Sequence, residues 1–157
     1  IKGYFTDRGF ENAVAAQQVF GGHGYIRENG MEQFVRDARI AQIYEGANGV
    51  QAMDLVGRKL ARNGGRALQA FNKLVMEEIA SAKGDAQLKP LAEALERSLG
   101  HLQAATMWLM QNAMTNPNNA GAAAYPYMHL AGLVGVGLMW LKIARASLDA
   151  LASGEGD

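Results

Sequence analysis

The chain has 157 residues, and 49% of them are apolar, a globular value that excludes a disordered protein. Residues 1–62 carry eight basic and seven acidic groups, and residues 63–157 carry seven and eight, so we expect no nucleic-acid-binding surface. Cysteine is absent, which excludes disulfides and cysteine metal ligands and fits a reducing, cytoplasmic setting.

The chain begins at Ile1, without a methionine, a basic segment or the apolar segment of a secretory signal. We expect it to be a piece of a longer protein.

A helix is predicted over residues 1–18, since Phe5, Phe10 and Val14 recur at a helical period. Asp7 lies with charged neighbours on another stripe of the same helix. The pattern is that of an amphipathic helix.

A glycine-rich turn follows, Phe20-Gly21-Gly22-His23-Gly24-Tyr25, and its glycines should end the helix. It is not a dinucleotide-binding fingerprint, because Arg27 stands at the third glycine position and no strand precedes it. It also lacks the Gly-Lys-Ser/Thr of a P-loop. Its backbone N–H groups could approach a phosphate, but tight packing on another chain is the favoured interpretation.

A second helix is predicted from Glu32 to Ile43, with Gly46 as its C-terminal glycine and Asn48 as N-cap of a third helix, Val50 to Leu60. The inner face of the second helix is assigned to Phe34, Val35, Ala38 and Ala41. Arg62-Asn63-Gly64-Gly65 is the clearest linker, so we divide the chain into residues 1–62 and 63–157.

Longer amphipathic helices follow the linker. One ends near Lys83, a second has an apolar seam, a turn occupies residues 115–119, and the last helix runs from about Tyr127 to Leu151. The seam consists of Leu88, Leu91, Leu95, Leu99, Leu102, Thr106, Leu109 and Ala113. Five methionines are expected to fill the core, namely Met107, Met110, Met114, Met128 and Met139. No strand pattern occurs, so we predict an all-α helical bundle of five or six helices.

The segment Ala120 to Leu141 has no charged residue and is long enough to span a bilayer. Pro126, His129 and four glycines dilute its hydrophobicity. We therefore expect a central bundle helix or one at a subunit interface, with no membrane span.

His23, His101 and His129 lie far apart and show no metal-binding spacing. We expect no metal site and assign each histidine to a capping or core position.

Glu45 follows the second predicted helix, where the partial negative charge of the last carbonyl groups disfavours a carboxylate. Such a position raises its affinity for a proton, which suits a general base near neutral pH. The alternative is an ordinary glutamate at an exposed helix end.

Several spaced positions resemble the C-terminal helical domain of the flavin-dependent acyl-CoA dehydrogenases. They are Gln18, Gly21, Gly22, Gly24, Tyr25 and Glu28, then Arg36-Asp37-Ala38, then Tyr44-Glu45-Gly46. The resemblance covers residues 1 to about 60, and the helices behind it are similar to the extension of a larger subgroup.

The resemblance implies that Glu45 removes the α-proton of an acyl-CoA thioester while a hydride leaves the β-carbon for N5 of FAD. The Glu45 N–H would hold the thioester carbonyl, and Tyr44 and Gly46 would line the slot for the thioester. The product would be a trans-2-enoyl-CoA.

The resemblance also implies FAD contacts at Gln18 and Gly22, to a flavin bound mainly by a neighbouring subunit, and at Ala47, Asn48 and Gly49. Ala47 replaces the usual threonine and Gly49 replaces a frequent glutamine, so Asn48 and backbone groups would substitute for two side-chain contacts. Because the other domains of such enzymes are missing, we expect FAD in the full-length enzyme and none on this piece, which should be inactive alone.

Acyl-CoA as substrate, an electron-transfer partner and a homodimer or tetramer are further implications. Two alternatives stay open. One is a catalytically silent helical module for oligomerisation. The other is a relative associated with alkylation damage that binds DNA, against which the balanced charge argues.

Overall fold

The computed structural model describes residues 1–154, and this part of the chain forms six α-helices and no strand. The helices are α1 (Lys2–Val19), α2 (Met31–Ala41), α3 (Asn48–Asp54), α4 (Arg66–Ala82), α5 (Lys89–Asn112) and α6 (Pro117–Ser153). The prediction of an all-α protein is confirmed.

α1 and α2 form an antiparallel pair joined by the short 3₁₀ turns Gly21–Tyr25 and Arg27–Asn29. Gly24 is required there, because a Cβ atom would lie 2.5 Å from the backbone oxygen of Gln17. The predicted glycine-rich turn therefore packs closely on the end of α1.

The buried face of α1 differs from the predicted apolar stripe. Gly3, Tyr4 and Asp7 are buried, whereas Phe5 and Val14 are exposed. The reason is a close crossing with α6, where a Cβ on Gly132 would lie 2.3 Å from the ring of Tyr4. Gly3 allows the same approach, because a Cβ there would lie 2.3 Å from the sulfur of Met128.

The main core lies between α4, α5 and α6. Its fully buried large side chains are Leu102, Leu138, Leu141, Val75 and Val134. Burial of such side chains is the dominant stabilising term of a helical bundle.

Three details of the predicted packing were wrong. Leu91 of the seam is exposed and Ala92 is buried in its place, and Phe34 of α2 is 67% exposed. Of the five methionines, Met128 alone is buried. For Leu91 and Phe34 helical spacing predicted a face, and the methionines were predicted from their residue type, but the neighbouring helices decide which face is covered.

α6 begins ten residues earlier than predicted. The side chain of Asn116 accepts a hydrogen bond from the N–H of Asn118 at 3.0 Å and caps the helix, and Pro126 lies inside it. By length and composition α6 could cross a membrane. It packs along α5 and also contacts α1 and α3, so one helix joins the two predicted parts of the chain.

The predicted linker forms a sharp turn at Arg62–Gly65, with positive φ at Asn63 (52°), Gly64 (66°) and Gly65 (74°). Before it, α3 continues into a π-helical turn at Leu55–Lys59. The chain thereby reverses from the first three helices into the α4–α6 bundle.

Candidate active-site loop

The candidate site is the loop of residues 42–47 between α2 and α3. α2 ends at Ala41 and not at the predicted Ile43, so Glu45 lies four residues beyond the helix instead of directly behind its end. Glu45 has a positive φ of 52°, and Gly46 follows with φ 86°. Two consecutive left-handed residues turn the chain sharply, and only the second is a glycine.

The side chains of Tyr44 and Glu45 are exposed in this chain. Within residues 1–154, neither the carboxylate nor the N–H of Glu45 has a hydrogen-bond partner. Gln51 Nε2 donates to the backbone oxygen of Glu45 at 3.0 Å. The loop thus presents a free carboxylate beside a free N–H donor.

Lys2 anchors the loop from α1. Its Nζ donates to the backbone oxygen of Gly46 at 2.7 Å, to Oδ1 of Asn48 at 2.8 Å and to the backbone oxygen of Gln42 at 3.3 Å. One ammonium group therefore contacts the start of the loop, the residue after Glu45 and the first residue of α3.

Asn48 is not the predicted N-cap. It is 5% exposed, and its Nδ2 donates to the backbone oxygen of Gly3 at 3.0 Å, to Thr6 Oγ1 at 2.9 Å and to Asp7 Oδ1 at 2.6 Å. Ala47 precedes the helix without a side-chain cap. Because the Asn48 side chain is fully engaged inside the chain, it is not available to a flavin, and a contact at this position falls to its backbone.

Asp7 lies at the centre of this network and is 5% exposed. Besides Asn48, it accepts hydrogen bonds from Gln42 Nε2 at 2.7 Å, His129 Nε2 at 2.9 Å and the hydroxyl of Tyr125. Burial raises the pKa of Asp7, but these four donors outweigh burial and hold the pKa below its ordinary value.

Tyr125 and His129 also pack on each other, with ring centroids 4.7 Å apart. The hydrogen bond to the Asp7 carboxylate, with a smaller effect of burial, raises the pKa of Tyr125 to about 12. The hydroxyl therefore remains a donor to Asp7 at neutral pH.

Lys2, Asp7, Tyr125 and His129 were not predicted as part of the site. Asp7 was assigned to a polar stripe, and His129 to a capping or core position. Asp7 and His129 are 122 positions apart. The spacing of residues within a helix predicts only local contacts, so it could not predict this one.

The predicted flavin-contacting residues fall into two separate groups. Ala47 and Gly49 are exposed and border the loop, and Gln18 and Gly22 are exposed near the other end of α1. Lys2 contacts the loop, and Gln18 lies sixteen residues further along the same helix, about 24 Å along its axis. One copy of the chain does not bring the two groups together.

No group of three or more residues that could hold a metal ion occurs within residues 1–154.

Two family descriptions match the chain, one on each side of the turn at residues 62–65. "Acyl-CoA dehydrogenase, C-terminal domain" matches residues 1–60, and "Acetyl-CoA dehydrogenase C-terminal like" matches residues 65–157. The chain belongs to the acyl-CoA dehydrogenase family. The predicted resemblance is confirmed, including the subgroup with a helical extension.

Two acyl-CoA dehydrogenases match nearly the whole chain. The 3-methylmercaptopropionyl-CoA dehydrogenase of Ruegeria pomeroyi is 37% identical over 155 residues, 98% of this chain and 26% of that protein. A broad-specificity linear acyl-CoA dehydrogenase of Mycobacterium tuberculosis is 31% identical over 166 aligned positions, 99% of this chain and 27% of that protein. The chain thus spans about a quarter of the length of these relatives.

A third dehydrogenase matches about a third of the chain. The cyclohex-1-ene-1-carbonyl-CoA dehydrogenase of Geobacter metallireducens is 44% identical over 55 residues, 35% of this chain and 14% of that protein.

Proposed function

We propose that this chain is the C-terminal part of an enzyme that oxidises an acyl-CoA thioester to the trans-2-enoyl-CoA, with Glu45 as the catalytic base. The observation that carries the proposal is the exposed Glu45 carboxylate, which has no hydrogen-bond partner within residues 1–154 and stands on a loop that Lys2 and Asn48 anchor to α1. Membership of the acyl-CoA dehydrogenase family supports it.

In this proposal the Glu45 carboxylate accepts the α-proton of the thioester. The unpaired N–H of the same residue donates a hydrogen bond to the thioester oxygen and stabilises the negative charge that develops there. One such donor is typically worth a factor of about 10²–10³ in rate. Tyr44 and Gly46 flank the carboxylate and line the slot for the thioester.

A bound flavin would accept the hydride from the β-carbon. The exposed residues Gln18, Gly22, Ala47 and Gly49 fit contacts to part of a flavin. Because the ends of α1 lie about 24 Å apart, Gln18 and Gly22 of one copy would contact a flavin held mainly by another copy. We therefore propose a homo-oligomer, a dimer or a tetramer.

This chain alone supplies too few contacts to retain FAD, since the Asn48 side chain is already engaged and Ala47 and Gly49 add no polar side chain. We expect the isolated chain to leave gel filtration without the flavin absorbance near 450 nm. A retained flavin band would contradict this part of the proposal.

The names of the relatives, which are dehydrogenases of coenzyme A thioesters, support an acyl-CoA as the substrate. A screen of acyl-CoA thioesters on the full-length protein, with 3-methylmercaptopropionyl-CoA among them, would identify the substrate. An electron-transfer partner must then reoxidise the flavin, and we place the reaction in the cytoplasm.

The deciding experiment replaces Glu45 with Gln in the full-length enzyme. We expect turnover to be lost while flavin content and melting temperature stay unchanged. Glu77→Gln is the control, because Glu77 is an exposed carboxylate of α4 with only a 3.8 Å contact to Lys73. Retained turnover in Glu45→Gln would overturn the assignment.

A second candidate function is a catalytically silent module for oligomerisation. The large apolar side chains exposed on α6 favour it, namely Leu133, Met139, Trp140, Ile143 and Leu151. Under this alternative, Glu45→Gln would leave turnover intact, whereas charged substitutions on α6 would dissociate the assembly.

A further inference from the structure

We infer that the C-terminal extension positions the proposed base: Tyr125 and His129 of α6 act through Asp7 on the loop that carries Glu45. The inference rests on the proposed function, because it gives these two side chains a part in the same reaction. They are positioning residues, since neither contacts the loop directly.

The first step is the contact between α6 and Asp7. Tyr125 and His129 are four residues apart and therefore lie on one face of α6. Both donate to Oδ2 of Asp7, His129 at 2.9 Å. Two residues of the extension thus fix the position of one carboxylate of α1.

The second step leads from Asp7 to the loop. Oδ1 of Asp7 accepts from Gln42 Nε2 at 2.7 Å and from Asn48 Nδ2 at 2.6 Å. Gln42 lies at the start of the loop and Asn48 directly after its end, so the same carboxylate holds both ends. Lys2 adds the backbone oxygen of Gly46, next to Glu45.

Burial makes this connection strong. Asp7 and Asn48 are each 5% exposed, and hydrogen bonds to a buried carboxylate are stronger than those in water. Losing one donor leaves the others to rearrange around an incompletely satisfied charge, which shifts Gln42 and Asn48.

The loop is sensitive to such a shift because Glu45 adopts a left-handed conformation with φ 52°. A residue other than glycine keeps this conformation only where its surroundings enforce it. When the anchors loosen, the backbone of Glu45 relaxes and its carboxylate leaves the productive position. Misplacement by about 1 Å can lower a rate by about 10²-fold.

The first test measures amide hydrogen exchange on the whole chain in two matched variants. Tyr125→Phe removes the hydroxyl that contacts Asp7, and Tyr127→Phe removes a hydroxyl of the same helix that contacts Thr106 at 2.8 Å. We expect Tyr125→Phe to speed exchange several-fold at the hydrogen-bonded amides of Ile43, Tyr44 and Asn48, and Tyr127→Phe to act only near Thr106. Unchanged exchange at these three amides in Tyr125→Phe would overturn the inference.

The second test uses the full-length enzyme, with kcat expressed per flavin-bearing subunit. We expect Tyr125→Phe to lower kcat between about tenfold and hundredfold, to leave KM within a factor of about three and to enlarge the isotope effect of an α-deuterated substrate. Tyr127→Phe should change none of these quantities. If Tyr125→Phe does not fold, His129→Leu removes the other donor from α6 to Asp7 and tests the same connection.

Failure of the inference and failure of the proposed function give different results. If Glu45→Gln abolishes turnover but Tyr125→Phe keeps its kcat and isotope effect, the extension does not position the base. If Glu45→Gln retains turnover, the proposed function fails, and hydrogen exchange still decides whether α6 holds the loop.

Discussion

The hydroxyl of Tyr125 donates a hydrogen bond to the carboxylate of Asp7, although 118 positions separate the two residues in the chain. Asp7 belongs to the segment that matches the acyl-CoA dehydrogenase C-terminal domain, and Tyr125 belongs to the extension. The extension is therefore built into the polar network beneath the loop that carries Glu45.

This contact predicts an effect at alkaline pH. The pKa of Tyr125 is raised from 10.0 to about 12, so its contribution to stability is fully present below about pH 10 and is lost as the pH rises toward 12. Tyr125→Phe should lower the free energy of unfolding at pH 8 and reduce the loss above about pH 10. Urea denaturation at pH 8 and again above about pH 10 measures both effects.

Tyr127 provides the comparison, because burial raises its pKa too. In Tyr125→Phe, Tyr127 still titrates, so part of the alkaline loss must remain. An unchanged alkaline loss in Tyr125→Phe would show that its bond to Asp7 does not form in solution.

Asp7 predicts an effect on the acid side. Its pKa is lowered from the ordinary value of 3.8, so its contribution is present above about pH 4 and is lost as the pH falls through its folded value. Asp7→Asn should destabilise the chain at neutral pH and make the acid loss shallower. Melting temperature as a function of pH measures both.

Asp54→Asn is the comparison for Asp7→Asn, because Asp54 is a second carboxylate whose pKa is lowered by hydrogen bonds. Hydrogen bonds from Arg58 and Lys59 lower the pKa of Asp54 to about 2, but its side chain is 24% exposed, against 7% for Asp7. Salt should screen its contribution far more than that of buried Asp7. Salt at about 0.5 M is roughly three times the physiological ionic strength. If it also removed the difference in stability between Asp7→Asn and the unchanged chain, Asp7 would not be buried.

Close packing of α1 on α6 predicts opposite effects for two glycines of α6. Gly132→Ala places a Cβ 2.3 Å from the Tyr4 ring and should lower the free energy of unfolding by about 1–3 kcal/mol. A Cβ added to Gly135 would meet no atom within 4 Å. Gly135→Ala should therefore stabilise the helix by up to about 1 kcal/mol. Equal effects would contradict the close crossing of the two helices.

The contact between Glu78 of α4 and Arg145 of α6 predicts a loss of stability. Glu78 has a side chain that is 12% exposed, and Arg145 Nη1 lies 2.8 Å from its Oε1. That contact is an ion pair without hydrogen-bond alignment at Oε1. Arg145→Met leaves the carboxylate short of a partner and should destabilise by about 1–3 kcal/mol.

Arg97→Met is the control for that substitution, because Arg97 is exposed and forms no ion pair within residues 1–154. It should change stability by less than about 0.5 kcal/mol. A similar loss in both variants would mean that the Glu78 contact contributes nothing specific.

The helices and the loop could be predicted from sequence because their signals are local. Glycines at 21–24, Gly46 and the run at 62–65 break the helical period, and each break occurs close to the observed turn. The family could be predicted for the same reason, since the residues that carry the resemblance form short motifs at 18–28, 36–38 and 44–46.

The network beneath the loop could not be predicted in this way. Asparagine is a residue type that often caps a helix, but the side chain of Asn48 is hydrogen-bonded to Lys2 and Asp7 inside the chain. The predicted start of α6 was wrong because a proline usually stands in the first turn of a helix. Here Pro126 lies inside the helix. Both outcomes depend on contacts between distant segments, for which spacing carries no signal.

The left-handed backbone of Glu45 has one further consequence. Glycine would adopt φ 52° without strain, so Glu45→Gly should raise the melting temperature, by an amount equivalent to about 1 kcal/mol. If Glu45→Gly raises the melting temperature and abolishes turnover, residue 45 is a position where natural selection has kept activity at the expense of stability.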